Sequence, residues 1–294
     1  MPADFEVQEV DDLATLESGL DALETTGVQE KRFTPKRVAL KVAPAIFAIA
    51  VVLGIWQLLF ALKIKPDYVI PSPQMVWNSF TAQWKLGMVW PAVQNSITRG
   101  FIGFALSVAI ATPLGILISQ VKFARLTLRP VLSGLQQLPS VAWVPAAIIW
   151  FGLSPSTIYC VVILGATPSI ANGLAAGIDQ IPPLYLRAAK VLGISGFSAV
   201  RQVVLPAAFP GYLNGLEQGW AFAWRSLMAA ELIAVSPELG AGLGQLLEVG
   251  RTLGDMSLIV MSIFLILITG ICVERLFFAP IRRRVFRARG LLVE

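Results

Sequence analysis

Residues 187–206 read RAAKVLGISGFSAVRQVVLP, a charged interruption carrying Arg187, Lys190 and Arg201 between two long apolar segments. The pattern is that of a helix, a turn and a second helix. Leu184 to Leu192 suits a short helix, Gly193 can take the positive φ that ends it, and Gly196 to Val204 suits a second. Pro206 is expected to stop that second helix, and Pro210 to reset the chain before the next segment. Ala188 and Ala189 leave a shallow helix surface that another protein can approach closely, with Lys190 and Arg201 charging its rim.

On both sides of this hairpin the chain is apolar. Hydrophobic residues make up 56% of the 294 residues and charged ones 14%, which places the chain among polytopic, all-α membrane proteins. Runs free of Asp, Glu, Lys and Arg extend from Val42 to Leu62, Gly100 to Val121, Pro130 to Ile178 and Met256 to Val273. About 20 residues cross the hydrocarbon core, so the first, second and last runs each fit one span. The third is long enough for two spans, with Gly152-Leu153-Ser154-Pro155-Ser156 as the turn between them. A further apolar segment, Tyr212 to Ala234, is interrupted by Glu217, Arg225 and Glu231. Six spans are expected, with the hairpin, residues 179–211, between the fourth and fifth.

Basic residues orient these spans. With a cytoplasmic N-terminus, 17 of the 23 Lys and Arg residues fall on the cytoplasmic side, including the hairpin and the Arg282-Arg283-Arg284 cluster. The positive-inside rule then places both termini and the hairpin in the cytoplasm. The net charge of +5 reflects this topology and carries no nucleic-acid signal. The expected organisation is an acidic cytoplasmic tail over residues 1–40, a six-span domain over 41–285 and a cytoplasmic C-terminal tail over 286–294. The first 30 residues contain nine acidic residues and no basic one, unlike a cleavable signal. Leu13, Leu16, Leu20 and Leu23 recur there at helical spacing, which suits either a frayed solvated tail or a short docking helix.

Several chemistries are excluded by what the chain lacks. It has no histidine, so imidazole ligation and histidine acid–base catalysis are ruled out. Cys160 and Cys272 lie in apolar runs as small hydrophobes. No Gly-rich loop with a following Lys and Ser or Thr is present, so ATP is not held here in the P-loop manner.

The hairpin spacing resembles the cytoplasmic E-A-A loop of binding-protein-dependent ABC importer permeases. Ala188-Ala189, Gly193, Val203 and Leu205-Pro206 fall at the family's intervals, with Val203 in the Ile place and Arg187 where the family has Glu. Ile70-Pro71-Ser72-Pro73, Ser96, Arg99, Gly103, Leu138-Pro139, Ala142, Val144-Pro145 and Trp150-Phe151-Gly152 extend the likeness over residues 42 to 285, towards the sulfonate, taurine, nitrate and bicarbonate import branch. The resemblance implies a subunit of the bacterial inner membrane with three kinds of partner. They are a second permease copy, a cytoplasmic ATPase dimer holding ATP and Mg, and an extracytoplasmic substrate-binding protein. It also implies that the hairpin residues Arg187, Ala188, Ala189, Lys190, Gly193, Val203, Leu205 and Pro206 receive the ATPase.

Candidates for the pathway are the polar residues inside spans: Arg99, Gln136, Gln137, Asn214, Glu217, Gln218, Arg225 and Glu231, with Trp220 as an apolar gate or as packing. Intramembrane charge is costly and faces protein or water. Arg99 and Arg225 therefore either offer a favourable field to an anionic substrate or bridge helices through carboxylates and carbonyls. Pro139 and Pro145 remove backbone donors, so the third span is expected to bend or begin late. A secondary transporter or a membrane-embedded enzyme remain the alternatives. The first calls for two related halves of hydropathy, and the second for clustered catalytic groups at the membrane face.

Overall fold

The computed structural model describes residues 35–290, which form helices joined by short turns. The acidic tail with its leucine repeat lies outside the described residues. By internal contacts the chain divides into residues 1–56 and 57–294. Helix α1 (Pro35–Ala61), most of which belongs to the first unit, is uninterrupted and contains Pro44. From Phe47 to Leu59 most of its large apolar side chains are exposed.

The second unit begins with α2 (Pro73–Lys85). Its start explains the Pro-Ser-Pro motif: the Ser72 hydroxyl accepts from the Met75 amide at 3.1 Å, and Pro73 occupies the first turn, where its missing N–H costs nothing. Then follow α3 (Val89–Gln120), α4 (Lys122–Gln137) and α5 (Val144–Phe151). Next come α6 (Pro155–Asp179), α7 (Pro183–Val191) and the single turn α8 (Gly196–Ala199). The chain closes with α9 (Leu205–Ile233), α10 (Leu243–Leu253), α11 (Met256–Val273) and α12 (Ala279–Ala288). Wide π turns at Val200–Val204 and Glu274–Phe278 join α8 to α9 and α11 to α12 without a break.

Helix α6 forms the centre of this unit, with 61% of its apolar window buried against 33% for α3. It packs on α9 along glycines. Gly173 and Gly177 on α6 face Gly215 and Gly211 on α9, the two helices running antiparallel. A Cβ on Gly211 would lie 2.6 Å from the Gly177 Cα, and one on Gly215 would lie 2.8 Å from the Gly173 Cα. Backbone therefore meets backbone, the close approach that small residues four apart allow between membrane helices. On its other side α6 meets α3, where a Cβ on Gly115 would lie 2.9 Å from the Ala171 carbonyl oxygen.

Among the described residues three helical stretches are long and apolar enough to cross a membrane: Val89–Gln120, Pro155–Asp179 and Met256–Ala288. One of the expected spans takes a different form: the second begins well before the charge-free run, because Arg99 is accommodated inside α3. The third, expected to bend or begin late, is discontinuous: α4 ends at Gln137, a 3-10 turn covers Ser140–Trp143, and α5 adds only eight residues. Pro139 and Pro145 account for the interruption, since each removes an amide donor. Gly152, at φ +68°, ends α5, and Pro155 opens α6.

Replacing Gly215 with valine should lower the thermal unfolding midpoint of the detergent-solubilised protein by an amount equivalent to roughly 1–3 kcal/mol of overpacking. Gly134→Ala, at a position with open space around it, should leave that midpoint unchanged in the same fluorescence melt.

Candidate functional site

Two polar constellations stand at opposite ends of α3. Arg99 and Ile118, which mark them, are separated by about 29 Å at 1.5 Å per residue, close to the thickness of a hydrocarbon core.

At the α3 N-terminal end, the Arg99 Nη1 donates to Glu231 Oε1 at 2.9 Å. The Ser96 hydroxyl donates to the other carboxylate oxygen at 2.7 Å, and the Gly244 amide reaches it at 3.1 Å. Arg99 Nη2 also donates to the Leu239 carbonyl. Ser96 Oγ in turn accepts from the Leu243 amide at 2.9 Å. The Glu231 side chain is fully buried and that of Arg99 is 11% exposed. Gly242 and Gly244 complete the clamp, because a Cβ on either would lie 2.6–2.8 Å from Glu231 atoms. The Gly-rich connector is thus a short helical segment fastened onto α3 and α9. Of the two readings of Arg99, the structure shows the bridging one: its charge is matched by a carboxylate.

At the other end stands the hairpin. Asp179, the last residue of α6, accepts from Arg125 Nη2 at 2.9 Å and Arg129 Nη1 at 3.0 Å, both on α4. Arg125 also donates to the Ser119 carbonyl at 2.8 Å, closing the C-terminus of α3. Beyond this root, α7 ends where Gly193 adopts φ +74° and its amide meets the Lys190 carbonyl at 3.1 Å. Ala189 is buried, whereas Arg187, Ala188 and Lys190 are exposed. Val191 and Leu192 are 87% and 75% exposed.

The second arm differs from its sequence reading. Pro206 does not stop a helix, nor does Pro210 reset the chain; helix runs unbroken from Gly196 to Ile233. The π turn explains this. The Leu205 amide reaches back to the Val200 carbonyl, and this wider i−5 turn directly before Pro206 shifts the hydrogen-bond register so that the helix continues through the ring. Val203 is half-buried and Leu205 likewise.

The remaining candidates are spread over several surfaces. Gln136 donates to Ser169 Oγ at 2.9 Å, bridging α4 to α6, while Gln137, Asn214 and Gln218 are exposed. Glu217 pairs with Arg282 of α12 at 3.1 Å. Trp220 is 4% exposed and packs on Phe101, Phe104, Trp224 and Phe278. Arg225 is exposed; its Nε donates to the Ala221 carbonyl of its own helix at 3.0 Å, and its guanidinium lies 4.8 Å over the Phe222 ring. Glu217, Gln218 and Arg225 line an open groove of about 640 Å³ between α9 and α11.

Residues 111–285 match the family described as the binding-protein-dependent transport system inner membrane component. The chain belongs to this family. A putative ABC transporter permease protein of Methanocaldococcus jannaschii is 31% identical, over 83% of this chain and 90% of its own. The taurine transport system permease protein of Escherichia coli is 28% identical over 77% and 85% of the two chains. A nitrate import permease protein of Synechocystis is 27% identical over 86% and 94%. The resemblance read from the motifs is therefore met by relatives named for that branch. The fold is shared with an inward-facing structure of the MetNI methionine ABC transporter. The TM-score is 0.56 at 20% identity, covering 67% of this chain and 96% of that one.

For this permease, sequence reasoning named Arg99 and Glu231 separately and missed that they join. It also missed Asp179 with its two arginines, and Ser96 as a clamp member. The Gly-Leu-Gly run at 242–244, spaced to admit a carboxylate, was the available signal. Glu231→Gln should leave the Arg99 cation buried without its counter-charge and destabilise the permease by roughly 3–5 kcal/mol, and the double variant Arg99→Met with Glu231→Leu should recover most of that loss. Thermal melts of the purified variants check both statements.

Proposed function

We infer that this chain is the transmembrane subunit of an ATP-driven importer that passes a small anion, such as a sulfonate, taurine, nitrate or bicarbonate, by alternating access. The observation that carries this reading is the hairpin itself: a short helix and the start of a long one about a left-handed Gly193, with apolar Leu184, Tyr185, Val191 and Leu192 exposed beside Arg187 and Lys190. A surface of that composition suits a protein partner better than solvent. Family membership supports the partner being a cytoplasmic ATPase dimer that holds ATP and Mg, with one hairpin per ATPase subunit.

The pathway takes two permease copies and a substrate-binding protein on the opposite membrane face, with both termini of each copy cytoplasmic. Six spans arise if α1, the broken α4–α5 segment and α9 join the three long apolar helices. Charged residues within α9 suit a segment facing protein or water more than lipid. Arg225 is the cation best suited to an anion on this route, because Arg99 is matched by Glu231 whereas, among the described residues, Arg225 donates to its own helix and lies over the Phe222 ring. The names of the taurine and nitrate relatives support an anionic solute.

The test is co-purification and uptake in vesicles. The permease should extract with a nucleotide-binding partner, and uptake should stop when that partner cannot hydrolyse ATP. Gly193→Val forces a β-branched residue into a left-handed turn and should reduce ATP-driven uptake at least about tenfold, with the permease still inserted. Normal uptake in that variant, or uptake without ATP, overturns the reading.

A further inference from the structure

Helix α12 lies antiparallel along the first half of α9. Three contacts run in register: Phe278 against Trp220, with ring centroids 5.9 Å apart; Arg282 to Glu217 Oε2 at 3.1 Å; and Arg289 to the Pro206 carbonyl, with a further contact to that of Ala207 at 3.4 Å. Positions 278, 282 and 289 fall within about 40° of one another around a helix of 3.6 residues per turn, so one face of the C-terminal segment makes all three contacts.

The chemistry of the contacts is specific. Pro210 has no amide hydrogen, so the Pro206 carbonyl lacks its usual donor four residues on; Arg289 supplies one. Glu217 has one carboxylate oxygen buried without a hydrogen-bond partner and the other held by Arg282. The π turn at Glu274–Phe278 connects this zipped segment to α11 without interruption, and Phe277 and Phe278 plug into an aromatic cluster with Phe101 and Phe104 of α3. On sequence grounds the arginine cluster serves only to orient the chain; Arg282 in addition faces a carboxylate.

We propose that α12 is a strut of the coupling machinery. It fastens the second arm of the hairpin to the last span, so a displacement of the hairpin reaches α11 and α3 as well as α9. Arg282, Arg289 and Glu217 are its positioning residues. The proposal rests on the hairpin being the ATPase contact.

The experiment uses the assembled transporter in vesicles. ATP hydrolysed per solute imported is measured for the parent, Glu217→Arg, Arg282→Glu and the double swap. Each single variant should raise that ratio about fivefold, a coupling effect of the size expected for one lost contact pair, and the swap should bring it back to within about twofold of the parent. An unchanged ratio in both single variants overturns the strut. So does parallel loss of hydrolysis and uptake that the swap fails to restore, because that marks a contact serving stability alone.

A second measurement does not depend on coupling. In a background with Cys160 and Cys272 replaced by alanine, Glu217→Cys and Arg282→Cys should be joined within one chain by a short bismaleimide, and Glu217→Cys with Leu253→Cys should not. Failure of the first pair to join overturns the strut. A parent transporter that imports without ATP overturns the coupling reading while leaving the crosslink to decide the contact.

Discussion

The backbone-to-backbone approach of α6 and α9 is the constraint on which the second unit depends. Gly173 and Gly177 meet Gly215 and Gly211 with no side chain between them, and Gly219 makes room for Ile170 one turn further along. In a membrane there is little hydrophobic gain in bringing two apolar helices together, so contact at this range is supplied by dispersion over a large matched surface. The seam fixes how α9 is rotated. That rotation turns Glu231 towards α3, Glu217 towards the C-terminal segment and Arg225 towards the outside. A bulkier seam would displace every charged group on α9 together.

With that rotation set, the two ends of the helix bundle are held differently. One end is closed by a buried ion pair whose carboxylate also accepts the Gly244 amide, a specific contact among α3, α9 and the 237–246 segment. The other is held by exposed pairs, Asp179 with two arginines and Glu217 with one. Exposed pairs are individually weak, whereas a buried one resists separation because each partner is costly to leave alone. The contacts at the end away from the hairpin are accordingly the harder ones to separate.

Much of this was legible in residue order. The charge-free runs locate α3, α6 and α11, the Gly-Leu-Ser-Pro turn separates α5 from α6, and Gly193 marks the tip of the hairpin. What was not legible follows from distance along the chain. Arg99 and Glu231 are 132 residues apart, so each looks like an isolated intramembrane charge until the fold joins them. Pro206 looks like a stop because the rule for proline assumes an α-helical turn, and a π turn changes which amide is needed. The spacing of Gly211, Gly215 and Gly219 was in plain view, but glycine every fourth residue has meaning only when a facing helix carries the same gap.

The two π turns have a consequence of their own. Each contains one residue more than an α-helical turn would use, so the helix beyond it is out of phase by about 100° with the helix before it. If either turn tightened to α geometry, its i−5 hydrogen bonds would be exchanged for i−4 ones and the attached arm would rotate by that angle. Helices joined in this way can trade rotation for translation, and the spare residue acts as a stored twist rather than as a hinge.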